Sequence, residues 1–136
     1  MKPGNTPDQP VVLIVEDHAA MRAGMSVLLQ TAFPGCRILE ADNSARALAV
    51  CFERQPRLVL MDVCLPDANG IEFTGRLLKL FRDTGVIIVS NLNAQVYFEQ
   101  ARAAGAIGYI VKDKLSDELI PAVARVLGIA PAAGRK

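Results

Sequence analysis

The chain has 136 residues, room for one domain, and 51% of them are apolar, enough to bury a single core. Its 15 Lys and Arg against 14 Asp and Glu leave a net charge of +1, so no basic excess marks nucleic acid or an anionic membrane as a partner. No apolar run approaches the roughly 20 residues of a membrane span, and the polar opening MKPGNTPDQP lacks the apolar stretch of a signal peptide.

These features lead us to expect a soluble cytoplasmic protein with a disordered lead over residues 1–10, one folded unit over residues 11–128, and a C-terminal tail or cut linker over residues 129–136. The three cysteines, Cys36, Cys51 and Cys64, form no CxxC pair. They are expected to be buried or half-buried thiols rather than a disulfide framework or zinc site.

The first apolar run, VVLIV at Val11–Val15, is continuous, as a strand covered on both faces requires. Residues 18–30 come next, with Met21, Met25, Leu28 and Leu29 at helical spacing, and Pro34-Gly35 ends the segment. RILE at residues 37–40 predicts a weaker second strand. Ser44 is placed to cap a helix reaching Gln55, with Ala47, Leu48, Cys51 and Phe52 on its inner face. Pro56 closes that helix, and LVLM at Leu58–Met61 is the third strand.

A loop over residues 62–70 ends in the turn pair Asn69-Gly70. A helix over residues 71–81 carries the stripe Phe73, Leu77, Leu78 and Phe81. VIIV at residues 86–89 predicts strand four. Residues 93–104 predict a helix stopped by Gly105, and GYIV at Gly108–Val111 predicts strand five. Ser116 is placed to cap a last helix, which continues past Pro121 to about Leu127. Five strand-then-helix units predict an α/β fold with a parallel sheet and helices on both faces.

Ligands of such sheets lie beyond the carboxyl ends of the strands. There the chain places Glu16 and Asp17 after strand one, Asp62 after strand three, Ser90 after strand four and Lys112 after strand five. The carboxylates are hard oxygen donors suited to Mg²⁺. Lys112 adds a second positive charge, and Ser90 can hydrogen-bond a phosphoryl oxygen. Taken singly, each residue has a plainer reading: an acid at a turn, a first-turn acid against a helix dipole, a turn serine, a solvated lysine. Their joint placement at one sheet edge is what argues for a site.

The segments VVLIVEDH (11–18), LVLMDVCLPDANG (58–70), VIIVSNL (86–92) and AGAIGYIVKDK (104–114) together resemble the receiver domain of bacterial response regulators. The resemblance covers nearly the whole chain. EDH at 16–18 and Lys112-Asp113 are similar to the subfamily linked to a LuxR-type helix-turn-helix.

The resemblance implies a flavodoxin-like doubly wound (βα)5 fold with strand order 2-1-3-4-5. It implies Asp62 as phosphoacceptor, and Mg²⁺ held by Glu16, Asp17, Asp62 and the backbone carbonyl of Cys64. Ser90 and Lys112 would contact the phosphoryl group, and Tyr109 would act with Ser90 as a switch. That switch would change the face made by helix four, strand five and helix five. A sensor histidine kinase or phosphotransfer protein would be the donor, with autocatalysis limited to the chain's own phosphoryl transfer and hydrolysis.

Asn91 departs from the small residue usual beside the hydroxyl and implies restricted access. Apolar Leu92 and Cys64 imply a long-lived phosphorylated state. His18, the lone histidine, is read as a structural residue at a helix start. Three other readings stay open beside the stand-alone switch: the receiver half of a DNA-binding transcription regulator, a degenerate scaffold, and a small phosphohydrolase using a strand-end Asp. Homodimerisation stays open as well.

Overall fold

A computed structural model describes residues 9–132. Most of the expected lead, residues 1–8, and residues 133–136 of the tail lie outside that range. The chain alternates β1 (Val11–Val15), α1 (Ala19–Ala32), β2 (Arg37–Ala41), α2 (Ser44–Arg54), β3 (Leu58–Met61), α3 (Gly70–Leu80), β4 (Gly85–Ser90), α4 (Gln95–Ala104), β5 (Gly108–Val111) and α5 (Leu115–Leu127). All five strands pair in parallel, in the order β2-β1-β3-β4-β5. This is the expected doubly wound sheet.

Alternation along the central strands divides the core in two. Leu13, Val15, Val59, Met61, Val86 and Ile88 face α2, α3 and α4. Val12, Ile14, Leu58, Leu60, Ile87 and Val89 face α1 and α5, whose Met25, Leu29, Leu119, Val123 and Leu127 complete that layer. Because β1, β3 and the centre of β4 are covered on both sides, Val11–Val15, Leu58–Met61 and residues 86–89 are unbroken apolar runs.

Several helix boundaries differ from expectation. α2 is capped by Asn43, whose side chain accepts the Arg46 N–H at 2.8 Å, and not by Ser44. Asn and Ser cap equally well, and the Asp42-Asn43-Ser44 run does not say which is used. Ser44 lies in the first turn and donates to Asp67 instead. Phe52 is 59% exposed: it meets Phe81 edge-on at 5.0 Å but leaves the core to its neighbour Cys51. Leu28 is also exposed.

Ser116 does not cap α5, because a 3-10 turn over Lys112–Lys114 feeds straight into that helix. α4 begins at Gln95 with no side-chain cap on Ala94. It ends on Gly105, whose φ of 108° is a left-handed conformation that glycine takes without a Cβ clash. Among the cysteines, Cys51 is buried and Cys36 half-buried, but Cys64 is exposed, since its turn lies above the sheet edge. No helix among the described residues is long and apolar enough to cross a membrane.

Candidate functional site

The carboxyl edge of the sheet collects the acids because β1 and β3 are neighbours in register, with Val15 beside Met61. The next residues, Glu16 and Asp62, therefore end side by side. Oxygens of Glu16, Asp17 and Asp62 lie within 4.8 Å of one another. Glu16 and Asp62 are buried, while Asp17 is exposed.

Lys112 reaches across from the end of β5. Its Nζ lies 2.8 Å from Glu16 Oε1 and 3.5 Å from Asp62 Oδ2. Burial alone would lower the Lys112 ammonium, but its hydrogen bond to Glu16 and the charges of both acids outweigh that and hold it above its ordinary value. Burial raises the Asp62 carboxyl to about 6, with the Glu16 charge adding to the rise. The Lys112 charge and the Cys64 N–H, 3.4 Å from Oδ1, pull the other way. One ammonium does not balance three clustered carboxylates. Hard oxygen donors with an excess of negative charge fit a divalent cation such as Mg²⁺.

Glu16 is anchored at every polar group. Its N–H donates to the Ala41 carbonyl at 3.0 Å, and its carbonyl accepts from Arg22 Nη1 at 2.8 Å. Its Oε2 accepts the His18 N–H at 3.1 Å. His18 in turn caps α1 through Nδ1, which accepts the Met21 N–H at 3.2 Å, so its role here is structural.

The loop after Asp62 is equally held. Gly70 N–H donates to the Val63 carbonyl at 2.7 Å, and a Cβ on Gly70 would fall on the Asp62 carbonyl oxygen. Only glycine fits there, which is a matter of close approach rather than of φ. Asp67 reaches back to α2, accepting from Ser44 N–H, Ser44 Oγ and Ala45 N–H at 2.9 to 3.1 Å. Those bonds outweigh burial and lower its carboxyl.

Ser90, the last residue of β4, is buried, and its Oγ accepts the Leu92 N–H at 3.1 Å. Tyr109 is half-buried on β5, its hydroxyl donating to the Leu92 carbonyl at 2.6 Å and its ring meeting Phe98 of α4 edge-on at 4.6 Å. Burial raises its phenol above the ordinary value, a rise that the nearby Ser90 hydroxyl only partly offsets. The geometry thus joins Glu16, Asp17, Asp62 and Lys112 directly, and ties Ser90 and Tyr109 to each other around Leu92.

Arg22 and Asp67, which brace the two turns, went unrecognised in the sequence. Nothing in the spacing of either residue announces its partner.

Residues 12–124 match the response regulator receiver domain family. The DNA-binding transcriptional activator DevR/DosR of Mycobacterium tuberculosis is 37% identical over 113 residues, 82% of this chain and 52% of that protein. The transcriptional regulatory protein YdfI of Bacillus subtilis is 34% identical over 108 residues, 79% of this chain and 50% of that protein. The chain spans about half the length of these curated relatives. A crystal structure of a two-component response regulator of the LuxR family from Aurantimonas is similar with a TM-score of 0.81 at 28% identity, covering 90% of this chain and 88% of that one. With the fold, the strand-edge residues and these relatives in agreement, the chain belongs to the response regulator receiver domain family, the receiver module of two-component signalling.

Proposed function

We propose that Asp62 accepts a phosphoryl group from a sensor histidine kinase or phosphotransfer protein and that the chain works as a phosphorylation-dependent cytoplasmic switch. The observation that carries this reading is the buried Asp62 set between Glu16, Asp17 and Lys112. An Asp62 carboxylate oxygen attacks phosphorus; a P–O bond forms, the bond to the donor breaks, and the donor leaves with the electron pair. With its carboxyl near 6, Asp62 is mostly ionised at neutral pH and available as nucleophile.

Glu16, Asp17 and Asp62, with the Cys64 carbonyl, would hold Mg²⁺, which neutralises charge between carboxylate and phosphoryl oxygens. Lys112 pairs with a phosphoryl oxygen once Asp62 has given up its own charge, and Ser90 donates its hydroxyl to another. Ser90 Oγ accepts the Leu92 N–H and keeps its own O–H to donate, so a pull on Oγ is passed to the Leu92 segment. The Leu92 carbonyl is also the partner of Tyr109. In this way the new group couples to α4 and β5, and through them to the α4–β5–α5 face. Exposed Cys64 and half-buried Leu92 give the site apolar flanks that slow hydrolysis of the acyl phosphate.

A second reading concerns the output. Relatives named as transcriptional regulators extend well beyond the half of their length that this chain matches, which favours a receiver that controls a DNA-binding domain over one acting alone.

Intact-mass measurement after incubation with acetyl phosphate and Mg²⁺, with Asp62→Asn alongside, tests the switch. One added phosphoryl group that requires Mg²⁺ and is missing from the variant is expected. A folded wild type that takes no phosphoryl group, or a variant that still does, overturns the reading and leaves a scaffold receiver.

A further inference from the structure

Arg22 sits one turn into α1, next to the acids but outside the set that would meet the phosphoryl group. Its guanidinium spans two structures. Nη1 donates to the main-chain carbonyl of Glu16 at 2.8 Å, and Nε donates to Glu40 Oε1 on the edge strand β2 at 3.0 Å. The ion pair with Glu40 is partly exposed on both sides, and such pairs add little to stability. The bond to the carbonyl is the informative one. It is charge-assisted and directed at the peptide joining Glu16 to Asp17.

The N–H of Glu16 is already fixed to β2 through Ala41, and its carboxylate is shared between Lys112 and the His18 N–H. Arg22 fixes the remaining polar group, the carbonyl. The same peptide leads into Asp17, the exposed acid of the cluster, whose side chain has no fixed partner of this kind among the described residues to aim it.

We propose that Arg22 is a positioning residue: its guanidinium, braced by Glu40, locks the Glu16–Asp17 peptide so that both carboxylates face Asp62 in a geometry ready for a divalent cation. The inference rests on the cation reading of the site given above. It opposes simple electrostatics. A positive charge beside three carboxylates competes with a cation, so if charge were all that mattered, removing Arg22 would tighten Mg²⁺ binding. If the bond to the Glu16 carbonyl orients the turn, removing Arg22 loosens binding despite the lost repulsion. The two accounts differ in sign. Groups that orient metal ligands typically carry a roughly 10- to 100-fold share of metal affinity.

The test is calorimetric titration of Mg²⁺ into the whole chain without a phosphodonor, for wild type, Arg22→Met, Arg22→Lys and Glu40→Ala. Amide hydrogen exchange at His18 in chelator, which reports the Glu16–His18 bond, is the second readout. The expected result is about tenfold weaker Mg²⁺ binding in Arg22→Met with faster exchange at His18. Arg22→Lys, whose ammonium reaches one partner but not both, falls between, and Glu40→Ala shows a smaller loss.

Equal or tighter Mg²⁺ binding in folded Arg22→Met, or in Arg22→Lys should the methionine variant not fold, overturns the proposal while leaving the cation site intact. A lower unfolding midpoint with unchanged Mg²⁺ affinity and unchanged His18 exchange makes Arg22 a stability residue and also overturns it. A wild type that binds no Mg²⁺ defeats the cation reading itself.

Discussion

The helices around the sheet are not all held equally, and the two faces show it. On one, α1 and α5 bury Met25, Leu29, Leu119, Val123 and Leu127 against the strands. On the other, α2 and α3 bury Ala47, Cys51, Ile71, Phe73 and Leu77, but α4 buries Ala101 alone, starts without a side-chain cap, and leaves Val96 51% exposed. A buried leucine contributes roughly 1.5 to 3 kcal/mol, an alanine far less. α4 is therefore the helix with the least to lose by moving, and it packs Phe98 against Tyr109, which shares the Leu92 segment with Ser90. α1 and α5 supply rigidity beneath the acids; α4 lies where a new charge at Asp62 would be felt. Stability and response fall to different helices around one sheet.

The strongest way to break this contrast is by truncation. Leu119→Ala should lower unfolding free energy by about 2 to 5 kcal/mol, whereas Val96→Ala should change it by less than about 0.5 kcal/mol. Comparable losses in urea titrations would show α4 to be as firmly held as α5. A gentler probe is native-state hydrogen exchange. Interior amides of α4 should open at least about tenfold more readily than those of α5, a gap of about 1.4 kcal/mol. Equal protection in the two helices would remove the basis for treating α4 as the responsive element.

The third prediction sharpens the charge side. Asp62 titrates at about 6 in the folded chain, above its ordinary 3.8. The native state thus holds this proton more tightly than the unfolded one, and wild type gains stability as pH falls from about 6 towards 4. In chelator, Asp62→Asn should exceed wild type by on the order of 1 kcal/mol above pH 6, after allowing for screening, and the gap should close as the pH drops below 6. Thermal melts of both proteins across that range check it. A gap that widens in acid would mean that the native acid cluster favours the charged form of Asp62.

The strands and the strand-edge chemistry were legible because burial on two faces forces unbroken apolar runs. The residue just past each run is then fixed at the sheet edge. Glu16, Asp17, Asp62 and Lys112 could be placed together on that ground alone.

Helix starts were harder. Asn43 and Ser44 are equal candidates until Asp67, more than twenty residues away, engages Ser44. Ser116 lost its role to a 3-10 turn that no periodicity announces. Phe52 lies one residue past Cys51, so the helical turn carries it off the buried stripe. Arg22 carries no sequence mark of its bond to a main-chain carbonyl, because spacing predicts faces and not the reach of a long side chain.

Gly70 has a consequence for how the chain tolerates change. Its α-carbon abuts the carbonyl of Asp62, so any side chain at position 70 must push on the backbone that carries the acceptor. A shift of about 1 Å in a reacting group can cost on the order of a hundredfold in rate. An alanine at position 70 alters no charge and removes no ligand, yet it would retune the nucleophile from the first turn of a neighbouring helix. The chain therefore has a route to silence that leaves its acids, lysine and hydroxyl intact, and a receiver inactivated this way would still read as complete by its reactive residues alone.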